Sequence, residues 1–404
     1  MATEALIRSL VALLLVLVPT ASAAGRGDDV PANDPSKDPY TDGGKPELMA
    51  QAGVVSYGPF EFAATDTKTI EELLPAADIR WIETKHFQVG FALGAYQVKQ
   101  KDKKRILAEL TEMQTLYPRI DPKTKFLDPW LRAHMAAHRA ELLYERFLKL
   151  VGKQDSDFPD GTKPWDTTGT YMGEGPFLGM KGKFELLILP NETSHSTLLV
   201  NQFGLGTRGT QRWHIIERST LIAVMQQYEG SLREDEALHA HIAFNLGINF
   251  LDSYRYYAYD LPIWLREGVG HFFEREISPK YNTFDADEGS APITSKKDDW
   301  RGATSKLVQA GKAPRTAELL SLTTFSGLDL DAHFTVWSRV EFLATQLPEK
   351  FTLFLDEMKG RTNAEGMTDG SNLDGAHRDA FKEVFGWSYA EFDAAWAEWV
   401  AATY

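Results

Sequence analysis

The chain has no cysteine, which excludes disulfide frameworks, thiolate metal sites and cysteine nucleophiles together. It is short of positive charge: 43 Lys and Arg stand against 57 Asp and Glu, a formal net charge of -14. An acidic surface repels phosphate backbones and anionic membrane surfaces, so nucleic acid is not expected as a partner. The apolar run from Leu10 to Val18 is too short to cross a bilayer as a helix and no other stretch is long and apolar enough, so no transmembrane segment is expected in the mature chain. No Gly-x-Ser-x-Gly elbow is present for a serine hydrolase. None of the 10 histidines is followed by glutamate, so an intact His-Glu-x-x-His zinc motif is missing as well.

The residues that are present suffice for a large folded body. Of 404 residues, 43% are hydrophobic and 12% aromatic, enough to bury a substantial core. Arg8 precedes an apolar run from Leu10 to Val18, and Ala21-Ser22-Ala23 then offers a small-residue cleavage site. This is the pattern of a secretory signal peptide. The chain is therefore expected to be exported: periplasmic, in the cell envelope or secreted. Four stretches are predicted: a signal peptide over 1–23, a flexible linker rich in Gly, Asp and Pro over 24–47, an α+β domain over 48–299, and a helical C-terminal subdomain over 300–404.

Within the α+β part, 79–91 is strand-like, and Lys183 to Leu189 reads as a buried strand ended by Pro190. Ser219 to Gln226 reads as another strand. Apolar periodicity predicts helices over 103–117, 129–151, 235–251 and 263–277. Near the end, Ser388-Tyr389-Ala390-Glu391 forms a capping box ahead of Phe392, Trp396, Trp399 and Val400.

Two neighbouring segments carry the chemistry. One is Leu238-His239-Ala240-His241-Ile242-Ala243-Phe244-Asn245-Leu246; the other is Leu261-Pro262-Ile263-Trp264-Leu265-Arg266-Glu267-Gly268. The second resembles the L-P-x-W-L-x-E-G signature of gluzincin zinc metallopeptidases, and of the peptidase MA-like proteins in particular. The resemblance implies an α+β, gluzincin-like fold: N-terminal strands and active-site helices, followed by an all-helical C-terminal half. It also implies that Glu267 is the third zinc ligand, following a helix with two ligating histidines at i and i+4.

Set against that family pattern, the first segment is degenerate. His241 stands in the first ligand place. Ile242 stands where the general base belongs, and a hydrocarbon side chain accepts no proton. Asn245 stands in the second ligand place, where a neutral amide is a poor substitute for imidazole on zinc. The expectation is therefore no bound cofactor, or a weakly held Zn²⁺, and a scaffold without peptidase turnover that binds a peptide or protein ligand. Glutamate at 242 and histidine at 245 are expected to rebuild a zinc site. The competing reading is a working metallohydrolase with a remodelled site. His271, one turn after Glu267, supports it, because with His241 it completes a set of two imidazoles and a carboxylate. A shifted frame, Asp235-Glu236-Ala237-Leu238-His239, offers Glu236 as an alternative base.

Three further patterns are weaker. His134 and His138 are an i, i+4 pair on a predicted helix, read as a solvated face. Gly204-Leu205-Gly206-Thr207-Arg208-Gly209 matches a dinucleotide fingerprint, but the stretch from Trp213 to Val224 reads as extended where the fingerprint needs a helix. Asp155, Asp157 and Asp160 imitate a calcium loop with the wrong spacing.

Overall fold

The strand Phe184–Leu189 explains much of the architecture. Its six residues are all buried, as befits a central strand covered on both faces. It lies in a five-stranded sheet with Arg80–Glu83 (β1), Phe87–Phe91 (β2), Phe184–Leu189 (β3), Gln211–Ile215 (β4) and Thr220–Gln226 (β5). The order is β1-β2-β3-β5-β4. β3 runs parallel to both β2 and β5, while the outer pairs β1/β2 and β4/β5 are antiparallel. The computed structural model describes residues 30–162, 170–284 and 298–404, and the predicted signal peptide over 1–23 lies outside the described residues.

The helices that frame the site are Pro129–Leu150 (α1), Asp235–Ser253 (α2), Ile263–Ile277 (α3), Trp300–Gln309 (α4) and Leu330–Gln346 (α5). Helix α1 starts at a strong cap: Asp128 accepts from the amides of Trp130 and Leu131, and Pro129 occupies the first turn. It packs on β1 and β2 and on α2. Helix α3 lies between α2 and α5, against both of which it packs. One hydrophobic core runs from Ile82 and Phe184 through Leu246 and Val269 to Val336 and Trp396. It therefore joins residues on both sides of position 300. The fold is α+β, with a sheet in the N-terminal half and helices in the C-terminal half, as expected. The capping box at Ser388 and Glu391 is formed.

Several expectations are corrected. The 79–91 stretch is a hairpin instead of one strand. It reverses at Thr84–His86 because Glu141 on α1 accepts from the Thr84 hydroxyl at 2.5 Å and from the His86 amide at 2.9 Å. The linker expected over 24–47 is, from Asn33 onward, built into the folded unit. Asp38 and Thr41 are buried, and Asp38 accepts from Tyr57 at 2.6 Å and pairs with His134 at 3.0 Å. His134 is thus a core residue and not part of a solvated face. Burial alone would raise the Asp38 carboxyl, but hydrogen bonds from His134, Thr41 and Tyr57 hold it down at about 2. Asp155 pairs with Lys85 and His86, which explains its place without calcium. Gly204 ends the helix Glu192–Phe203 in a left-handed conformation and leads into the β4/β5 hairpin, so the glycine run is a helix stop followed by a turn.

Candidate functional site

The signature segment is held largely by packing. Pro262 precedes the first turn of α3. Trp264 is fully buried and donates its indole N–H to His377 at 3.2 Å. Arg266 pairs with Asp252 at the end of α2 at 2.7 Å. Two glycines then let α3 touch helices on both sides. A Cβ on Gly268 would stand 2.6 Å from Val340 Cγ2 and 2.8 Å from the Val336 carbonyl of α5. One on Gly270 would stand 2.9 Å from the Phe244 ring of α2. Glycine at 268 brings the α5 backbone close to Glu267 and His271, while glycine at 270 lets α2 approach from the other side.

The degenerate positions on α2 are built into the interior. Ile242 is 1% exposed and belongs to the hydrophobic core. Asn245 is equally buried; it accepts from Arg212 at 2.8 Å and donates to the His241 carbonyl at 2.9 Å. The His241 ring sits between two hydroxyls, Thr210 at 2.7 Å from Nε2 and Thr283 at 3.0 Å from Nδ1. The expectation that glutamate at 242 and histidine at 245 rebuild a zinc site therefore has little support: position 242 is core, and Asn245 is engaged on both ends. The shifted frame fares no better. Asp235 pairs with Arg139 and Arg105, and Glu236 accepts from Ser278 at 2.7 Å.

Glu267 reaches a different partner. Its carboxylate joins His271, one turn on, and His333 of α5 in a cluster whose ligand atoms all lie within 4.8 Å of one another. His271 Nε2 stands 3.0 Å from His333 Nδ1 and 3.7 Å from Glu267 Oε2, and His333 Nδ1 stands 3.9 Å from the same oxygen. The other nitrogen of His271 contacts Glu274 Oε2 at 3.1 Å. Glu274 Oε1 in turn accepts from the Thr283 amide at 2.7 Å and hydroxyl at 2.5 Å. Thr283 thus connects this cluster to His241. Phe244, Phe284 and Trp300 pack on the His271 ring, and Phe284 packs also on His333. Burial, then the neighbouring His333 and Arg275, push the His271 imidazole well below its usual range, so it is neutral at pH 7. Burial likewise pushes the Glu274 carboxyl well above its usual range, against the hydrogen bonds from Thr283.

Of the predicted ligands, then, Glu267 and His271 come together, while His241 and Asn245 are not in the cluster. The sequence pattern does not single out His333. Its only signal is a histidine on the apolar stripe of a helix, in register with Trp337 and Val340. That signal gains meaning only beside the Gly-Val-Gly run between Glu267 and His271, which marks close helix contacts. A scan of family models finds no match to this chain, and a search of curated proteins finds none either.

Proposed function

We propose that this chain is an exported protein with a gluzincin-like scaffold that lacks peptidase chemistry and serves a binding or scaffolding role. The observation that carries the reading is the fate of α2. Where the family pattern needs a ligand, a base and a second ligand, this chain has His241 held by two threonines, Ile242 in the core and Asn245 held by Arg212. A water on a metal near α2 would find no carboxylate at position 242 to take its proton, a loss worth roughly 10²–10⁴ in rate. Export rests on Arg8, the Leu10 to Val18 run and the Ala21-Ser22-Ala23 triplet.

The competing metallohydrolase reading is favoured by the Glu267, His271 and His333 cluster. Against turnover there, all three side chains are at most 1% exposed, and the adjacent Glu274 is engaged by His271 and Thr283. A buried site whose neighbouring carboxylate is already engaged suits ligand holding better than hydrolysis. The test uses chain purified after secretion, incubated with unfolded casein and a mixed peptide library, with and without zinc. The reading expects no cleavage and an N-terminus at Ala24. Chelator-sensitive cleavage that is lost in Glu267→Ala would overturn it.

A further inference from the structure

We propose that Glu267, His271 and His333 form a binding site for one Zn²⁺-class ion, held between α3 and α5 and separate from His241 and Asn245. This inference is independent of the loss of peptidase chemistry and goes beyond it. The geometry is the first argument. A tetrahedral zinc with bonds of about 2.0–2.1 Å has ligand–ligand edges of about 3.4 Å. The three ligand atoms are separated by 3.0, 3.7 and 3.9 Å, which bracket that edge. The short distance is a contact between two ring nitrogens, and an ion would take the place of the proton between them. Seating it requires movements on the order of a few tenths of an ångström.

Chemistry is the second argument. Two imidazoles and one carboxylate suit zinc and its neighbours in the transition series, whereas calcium and magnesium call for more oxygen. The aromatic wall of Phe244, Phe284 and Trp300 supplies no oxygen ligands. The third argument lies one layer out. Metal-bound histidines commonly give their second ring nitrogen to a carboxylate, which fixes the tautomer and aims the first nitrogen. Glu274 stands in that relation to His271 Nδ1, and Thr283 holds Glu274 by both its amide and its hydroxyl. Glu274 is thus a positioning residue. The fourth is assembly: Gly268 admits the α5 backbone close to α3, and this approach delivers His333.

The experiment is a titration of the chelator-stripped purified chain with Zn²⁺ by calorimetry, and with Co²⁺ by visible absorption. We expect one ion per chain and the intense visible bands of cobalt held by three protein ligands and one water. Glu267→Gln and His333→Ala should each weaken zinc binding by about 100-fold or more, and Glu274→Gln by about 10–100-fold. Asn245→Ala should leave the stoichiometry at one. Because His333→Ala also strips packing from the helix pair, the wild type supplies an independent readout. Zinc should shift the ring ¹⁵N resonances of His271 and His333 far more than those of the other histidines. The proposal fails if the stripped wild type takes up no zinc at about 100 µM, if zinc binding survives both Glu267→Gln and His333→Ala, or if the shifted ring is His241. None of these results depends on the proteolysis assay.

Discussion

Ile242→Glu restores, on paper, the general base of the family pattern; here it is expected to destabilise the protein severely. Ile242 is 1% exposed, within the core formed with Leu238, Leu246 and Val269. Burying an isoleucine is worth about 1.5–3 kcal/mol, and much of that is lost with a carboxyl in its place. Charge costs more. In the unfolded chain a glutamate titrates near 4.3, so holding it neutral in the core at pH 7 costs about 4 kcal/mol. Together the two losses reach about 5 kcal/mol, comparable to the whole stability of many domains. The folded pKa of this glutamate is raised, so the folded state binds the proton more tightly. Stability relative to wild type is then greatest at low pH and falls as pH rises above the unfolded value, by about 1.4 kcal/mol per unit. Urea unfolding at pH 5 and pH 7 should show a deficit about 3 kcal/mol larger at pH 7, while Ile242→Val should cost only about 0.5–1.5 kcal/mol at either pH. A deficit below about 1 kcal/mol that does not change with pH would mean that position 242 faces water, and the case for a filled interior would collapse.

Other expectations rest on named contacts. Asp38→Ala should destabilise the protein by about 1–3 kcal/mol, since it strips the buried His134 and Tyr57 of their hydrogen-bond partner; a melting temperature equal to wild type would show that residues 33–44 are a spacer after all. Because Asp38 is held at about 2 in the folded state, its contribution is present above the unfolded value near 3.9 and is lost as pH falls towards 2. Lys359 is fully buried, donates to the Asp252 carbonyl at 2.5 Å and is pushed down to about 8 by desolvation. The folded state then binds fewer protons than the unfolded one between pH 8 and about 10.4, so stability should rise by about 3 kcal/mol across that window relative to Lys359→Met; parallel pH profiles for the two proteins would refute this. Gly268→Ala should push α3 and α5 apart, at a cost of about 1–3 kcal/mol, and weaken zinc uptake alongside; unchanged stability would show that the helices do not touch there.

The elements most legible in the sequence are those whose pattern is local. The apolar run of Phe184–Leu189, the helical stripe from Pro129 and the Ser388 capping box each declare themselves within one element. Features that depend on distant partners are not legible in this way. The hairpin turn at Thr84–His86 depends on Glu141, 57 positions from Thr84 and 55 from His86. The ordering of the Asp38 segment depends on His134, 96 positions on. In the site, Glu267 and His271 share a helix and are visible as a pair at i and i+4. His333 is 62 positions beyond His271, and only the packing of α5 across Gly268 joins them. Family pattern draws His241 into the expected site, whereas its ring is claimed by Thr210 and Thr283, neither of which a spacing rule singles out.

The most direct test of the account is a crystal structure of the purified chain grown with zinc, with diffraction recorded on both sides of the zinc absorption edge. The account predicts one anomalous peak, about 2.0–2.1 Å from His271 Nε2, His333 Nδ1 and a Glu267 carboxylate oxygen, with none beside His241. A peak coordinated by His241 and Glu267 between α2 and α3 would contradict it.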